Sequence, residues 1–236
     1  MQVKGKVALI TGGTGELGRA VVRLFLREGA EVAVTYFSEE ERARFGSDFP
    51  DVLALRGDLS KEREVSAVFD ELINRKGTLD ILCNLVGGYM PKKDIADLSE
   101  KEWDFMFSLN LKTVFLSTRR AIPLMAKSGF GRIINVSAMA GLEPSAGRGA
   151  YGVSKAAIET FTAIAGAEAK AMSGKNITVN AIAPSVLLTK ANRSSASEEE
   201  IRTWVPLEQA ADVILYLASE AASAVNGVTL RVYGKI

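Results

Sequence analysis

Residues 11 to 18 read TGGTGELG, after the apolar run VALI at 7 to 10 and before an amphipathic stretch, LGRAVVRLFLREG. A glycine-rich turn from a first strand into a helix directs backbone N–H groups and a helix N-terminus at a pyrophosphate, and glycine is needed wherever a side chain would block the approach. Gly12, Gly15 and Gly18 meet that need, and the strand-turn-helix context separates the motif from an ordinary tight turn. Thr14, Glu16 and Leu17 complete the loop and are expected on its cofactor side. Glu16 stands where such a loop wants glycine. A carboxylate ~4 Å from a phosphate charge costs about 1 kcal/mol in water and about 4 at the dielectric of a protein surface, unless its side chain points away.

Outward from the loop, short apolar runs recur at 31 to 37, 52 to 55, 79 to 87, 131 to 137, 177 to 184 and 228 to 234. They are rich in Val and Ile and do not alternate with polar residues, the mark of strands buried on both faces of a parallel sheet. Patterns of helical period lie between them, several stopping at glycine, and Ser38 with Glu41 forms a capping box opening one of them. The expectation is βαβ repeated along residues 1 to 236: one doubly wound Rossmann-type α/β domain, with a mostly parallel sheet of about seven strands and helices on both faces. One polar stretch, NRSSASEEE at 192 to 200, follows a strand's carboxyl end; with its flanks, 186 to 205, it is expected to be a substrate lid.

Composition narrows the chemistry. Lys plus Arg number 29 against 28 Asp plus Glu, which gives no basic field for nucleic acid. A single cysteine, Cys83, excludes an internal disulfide, and with no histidine in the chain there is no His-metal site and no Ser-His or Cys-His nucleophile pair, so no metal is expected. No uncharged run reaches the ~18 residues of a membrane helix and no signal peptide is evident, so a cytoplasmic protein without membrane contact is expected.

At YGVSK, residues 151 to 155, Tyr151 and Lys155 fall four apart on one helix face, where an ammonium can lower a phenol's pKa and suit it to general acid work. Taken together, this pair, TGGTGELG, NLVG at 84 to 87, Asn110, INVSAMAG at 134 to 141 and NAIAPS at 180 to 185 closely resemble the short-chain dehydrogenase/reductase family, in order and across the chain. The resemblance implies an NAD(P)-dependent oxidoreductase acting on a small molecule. It implies Tyr151 as proton donor, Lys155 on the nicotinamide ribose, and Asn110 ordering a water that leads to Lys155. It further implies Asp58 and Leu59 at the adenine, Asn84 and Gly87 beside the cofactor, Val186 and Thr189 on the nicotinamide side, and a homo-oligomer, dimer or tetramer, built on the helices around 100 to 127 and 150 to 173. Phe37, after the second strand, is expected beside the adenosine. For Asn84 the alternative is a tie between strands, and for Asp58 a helix cap.

Two departures stand out: Glu16 replaces the family's middle glycine, and Ala138 replaces its serine, thirteen residues before Tyr151. Ser137 is adjacent, but neighbouring strand residues face opposite ways. Dihydropteridine reductases are similar in GGTGELG, in the GGY at 87 to 89, in alanine at the serine position and in the tail PSVLLTKANR with SEEEIRTWVPLE, which marks Tyr89, Ala138 and Asn192 as substrate-side. Their quinonoid substrate is already electron-poor and needs a polarising hydroxyl less. The second strand ends Thr35, Tyr36, Phe37 without the acid that binds a free ribose 2′-hydroxyl, so the cofactor expectation leans to NADP(H) over NAD(H). The function expected is hydride transfer between nicotinamide and a small carbonyl, alcohol or quinonoid imine. Two alternatives stand beside it: a catalytically weakened nucleotide sensor or scaffold, motivated by Glu16 and Ala138, and a 3-oxoacyl-carrier-protein reductase, for which KKD at 92 to 94 and RR at 119 to 120 would dock the carrier.

Overall fold

The computed structural model describes residues 2–172, 174–194 and 196–235; Met1, Ser173, Ser195 (inside the expected lid) and Ile236 lie outside them. Each apolar run becomes a strand: β1 (Val7–Thr11), β2 (Glu31–Tyr36), β3 (Leu53–Arg56), β4 (Ile81–Asn84), β5 (Phe130–Val136), β6 (Asn176–Pro184) and β7 (Thr229–Val232). All pair in parallel, in the order β3-β2-β1-β4-β5-β6-β7. Parallel neighbours need crossovers, and the helical segments provide them. These are α1 (Glu16–Arg27), α2 (Glu39–Asp48), α3 (Glu62–Lys76), α4 (Glu100–Phe107), α5 (Thr113–Ser128), α6 (Met139–Leu142), α7 (Gly149–Ala171), α8 (Lys190–Arg193), α9 (Glu198–Ile201) and α10 (Leu207–Ala218).

The sheet separates two apolar layers. Val21, Val22 and Phe25 of α1 join Ala211, Ile214 and Leu215 of α10 on one side. Val68, Phe69 and Leu72 of α3 join Leu116 and Met125 of α5 and Ala165 and Ala169 of α7 on the other. Helices thus cover both faces, which is why the strands read as unbroken apolar runs. From β1 the chain winds outward through β2 and β3, then returns to β4 on β1's other flank, and this reversal opens a crevice at the strands' carboxyl ends.

Two segments differ from the sequence reading. The helical pattern between 102 and 129 runs through without a break, yet the structure inserts a turn of π-helix, Ser108–Lys112, between α4 and α5. Such a turn accommodates one extra residue and turns a chosen side chain inward, here Asn110, which is fully buried. The polar stretch around 192 to 200 holds two short helices, α8 and α9, the second opened by a capping box from Ser197 and Glu200.

Candidate active site

The glycine loop sits at the crevice, and two of its glycines are required, Gly12 by conformation and Gly18 by contact. Gly12 has φ +65, which L side chains rarely adopt, and a Cβ on Gly18 would lie 2.4 Å from the Gly12 carbonyl oxygen. β1 is joined to β4 by Thr11, whose Oγ1 accepts the N–H groups of Leu85 (3.1 Å) and Val86 (3.4 Å). Thr35 Oγ1 of β2 accepts the N–H of Gly12 at 3.1 Å. Leu17 packs into the core below the loop. Glu16 turns sideways: its two carboxylate oxygens accept the backbone N–H of Lys190 at 3.1 and 2.9 Å. The carboxylate that the loop's chemistry opposes is therefore held by the first residue of α8, across 174 residues of sequence.

A cavity of about 540 Å³ runs from the loop across the ends of β2 and β4. Gly12, Thr14, Gly15, Phe37, Asp58, Leu59 and Gly87, all expected at the cofactor, line it. Thr35, Tyr36, Glu41, Gly57, Ser60 and Val86 also line it. Of these Glu41 was legible only as a helix cap, since a capping box gives no hint that its acid also faces a cavity. Burial alone would raise the Asp58 carboxyl, but hydrogen bonds from Ser60 and the Lys61 ammonium hold it below the ordinary range. The carboxylate ties its own turn through Ser60 but does not cap α3, whose N-cap is Lys61 with no side-chain hydrogen bond. Asn84 does not line the cavity. Its Nδ2 donates to Asn135 Oδ1 (2.8 Å) and Thr118 Oγ1 (3.3 Å), which makes it a tie between β4, β5 and α5.

At the other end of the crevice α7, the inserted π turn and the loop following β4 converge on Gly87. A Cβ there would lie 2.9 Å from Asn110 Oδ1 and 3.2 Å from Lys155 Nζ. Asn110 accepts the Gly88 N–H at 2.8 Å and donates to the Gly88 carbonyl (3.2 Å) and to Ser154 Oγ (3.0 Å). Lys155 Nζ donates to the Val136 carbonyl at 2.9 Å. Tyr151 is stacked edge-on against Tyr89, ring centres 5.3 Å apart, and the Arg148 guanidinium lies 4.9 Å over the Tyr89 ring.

The electrostatics of this cluster differ from the simple picture of an ammonium lowering a phenol's pKa. Burial pushes the Tyr151 phenol up, Tyr89 adds to the rise, and Arg148 is the cation that pulls it down. Lys155 is aimed instead at the β5 carbonyl, and burial lowers its own pKa to about 8 from an ordinary 10.5. Because its folded value lies below its unfolded one, the unfolded chain binds more protons between those pH values, and stability from this group rises with pH across that window. Below about pH 8 the burial penalty stands in full. Unfolding free energies of wild type and Lys155→Met are expected to shift in the wild type's favour as pH rises from about 8 to about 10; a difference that stays flat contradicts the burial argument.

Ala138 begins α6 in an extended conformation and is nearly buried. Ser137 does not stand in for it: its Oγ donates to the Lys155 carbonyl (2.9 Å) and Glu159 Oε1 (2.7 Å), behind the active face of α7. In the lid region Val186 and Leu187 pair with Val205, Thr189 Oγ1 caps α8 by accepting the Asn192 N–H at 3.1 Å, and Asn192 Nδ2 donates to the Leu187 carbonyl at 2.8 Å.

Comparison with known proteins agrees with this architecture. A family profile described as short chain dehydrogenase matches residues 6–200. YvrD of Bacillus subtilis, an uncharacterized oxidoreductase, is 31% identical over 262 residues, covering 100% of this chain and 98% of the relative. The 3-oxoacyl-(acyl-carrier-protein) reductase FabG of Thermotoga maritima is 31% identical over 250 residues, covering 99% and 98%. Among solved structures, levodione reductase superposes with a TM-score of 0.88 at 25% identity, over 99% of this chain and 98% of that one. The profile match, the relatives and the parallel sheet with its reversal beside β1 lead to one statement: the chain belongs to the short-chain dehydrogenase/reductase family of oxidoreductases.

Proposed function

We propose that the protein binds a nicotinamide dinucleotide along the crevice and interconverts a small carbonyl compound or quinonoid imine with its reduced form, Tyr151 handling the proton. The observation that carries this reading is the convergence of Asn110 and Lys155 on Gly87, which lines the same cavity as Gly12, Thr14 and Gly15 of the glycine loop. The residues fit the cofactor. Gly12 and Gly18 leave backbone bare where side chains would collide, and Gly87 leaves space beside two polar groups that any larger residue would fill. Gly12, Thr14 and Gly15 would hold the pyrophosphate, with Glu16 turned aside to Lys190. Phe37, Asp58 and Leu59 would enclose the adenosine, and Lys155, Val186 and Thr189 the nicotinamide half. When bound, the dinucleotide supplies or accepts the hydride.

Every other part of the work falls to the chain. Tyr151, kept protonated by burial, gives its proton to the substrate oxygen or nitrogen. Lys155 carries positive charge along the same helix face, and Asn110 holds the 87–88 backbone so that this face stays open. Tyr89 and Arg148 form the substrate-side wall with Asn192 in the lid, residues 186–205. Ala138 offers no hydroxyl, so a substrate that is already electron-poor, such as a quinonoid ring, suits the site better than an unactivated ketone.

A 3-oxoacyl group on a carrier protein is the second reading, favoured by the FabG relatives. Against it, three of the four cations that would dock an acidic carrier already face carboxylates: Arg119 with Glu62, Arg120 with Asp70 and Lys93 with Glu102. For assembly, Phe105, Phe115, Val153 and Ile164 are exposed apolar side chains on α4, α5 and α7, the helices on which a homo-oligomer would be built.

The test is a titration with NADH and NADPH, followed by energy transfer from Trp103 and Trp204. Micromolar binding of one of them is expected; no binding of either at millimolar concentration removes the proposal and revives the sensor or scaffold alternative.

A further inference from the structure

The choice between the two dinucleotides rests on the proposed cofactor site and is decided at the end of β2. Its ordinary arbiter is an acid at the strand's last residue, which binds the free ribose hydroxyls and repels a 2′-phosphate. Here β2 ends at Tyr36, followed by Phe37, which is 65% exposed at the cavity mouth. The acid arrives from elsewhere. Glu41, in the first turn of α2, lines the same cavity as Thr35, Tyr36, Phe37 and Asp58. Its Oε2 accepts the backbone N–H of Phe37 at 3.0 Å and of Ser38 at 3.4 Å. Those are the first two donors after the strand, the groups that an incoming phosphate would need. Its backbone N–H is in turn received by Ser38 Oγ at 3.2 Å, so the carboxylate is held by both halves of a capping box.

The nearby cations lean toward a different acid. Arg42 and Arg56 both approach Glu39, at 3.9 and 3.8 Å, and Tyr36 donates its hydroxyl to the same carboxylate at 3.3 Å. α2 opens with three consecutive acids, Glu39, Glu40 and Glu41, where a phosphate-accepting helix would present bare N–H groups. A 2′-phosphomonoester would meet occupied donors and a fixed negative charge, whereas neutral ribose hydroxyls can donate to the same carboxylate.

We propose that Glu41 is a specificity-determining residue that makes the site select NAD(H) over NADP(H) through its negative charge, the Phe37 and Ser38 backbone donors holding the carboxylate at the ribose end of the cavity. This reverses the lean toward NADP(H) that the bare end of β2 suggests.

Dissociation constants for NADH and NADPH, measured on wild type and Glu41→Gln, test it without any substrate. Glutamine keeps a carbonyl oxygen to receive the Phe37 N–H, and thermal melts check that both proteins are folded. Wild type is expected to bind NADH at least tenfold tighter than NADPH, and Glu41→Gln to bring the ratio within about threefold, chiefly by tightening NADPH. NADPH binding as tightly as NADH to wild type overturns the inference while leaving the dinucleotide site intact. So does a wild-type preference that survives in Glu41→Gln. Binding of neither cofactor would remove the site and the inference together. Should Glu41→Gln fail to fold, the wild-type ratio still decides.

Discussion

Phenylalanine at position 151 is expected to lower kcat by about 10²–10⁴-fold with a quinonoid pterin or small ketone that the wild type turns over, the range that one positioned general acid contributes. Tyr151→Phe removes only an oxygen. Among the described residues that hydroxyl has no hydrogen-bond partner, and the ring keeps its edge contact with Tyr89, so the fold loses almost nothing. NADH affinity should stay within a few-fold of wild type, since the phenol would serve the substrate's proton. Turnover unchanged in Tyr151→Phe would show that the proton comes from elsewhere. Arg148, the cation that lowers this phenol's pKa, has no carboxylate within 4 Å among the described residues.

Gly18→Ala is expected to damage the phosphate loop more than any other added methyl within it. The added Cβ would sit 2.4 Å from the Gly12 carbonyl oxygen and 2.6 Å from Gly13 Cα, and both are backbone atoms of the phosphate-facing loop. Neither can swing aside as a flexible side chain would, so α1 must back away from the loop. Overpacking of this kind costs about 1–3 kcal/mol. Binding should suffer more than stability, because the displaced groups are those that meet the pyrophosphate; a loss of at least a hundredfold in NADH affinity, or about 2.7 kcal/mol, is expected. Gly15→Ala is the matched control. Its Cβ would meet only the Gly12 carbonyl oxygen, at 3.4 Å, and its melting temperature should stay near wild type. Equal damage at both positions would mean that the loop resists any side chain, and that the close packing of helix on loop is not the reason for Gly18.

Much of this was legible because the signals were local. Seven apolar runs became seven strands, and the Ser38–Glu41 capping box formed as its spacing predicts. The spacing of Tyr151 and Lys155 also placed them correctly on one helix. What the spacing did not reveal was the partner of each: Lys155 reaches a carbonyl of β5, and Tyr151 feels Arg148 more than Lys155. The π turn at Ser108–Lys112 was not legible in the sequence, because the types of neighbouring residues do not mark where an i to i+5 hydrogen-bonded turn interrupts a helix. Asn110 therefore read as a helix residue among others, although its inward aim depends on that insertion. Glu41 was read from its role in α2 alone; that it also closes the end of β2 follows from the loop's path, which local patterns do not encode.

The contact between Glu16 and Lys190 also orders events at the ribosome. The glycine loop is among the first segments made, while the N–H that donates to its carboxylate belongs to a residue 174 positions later. Through most of synthesis Glu16 has no Lys190 N–H to accept, and a domain folds as a unit only once its chain has been made. A growing chain is thus poorly disposed toward dinucleotide until the segment after β6 has emerged and docked. The same dependence holds for any product shortened ahead of residue 190, which would keep its first strands and the loop's glycines yet leave Glu16 without the donor that turns it aside.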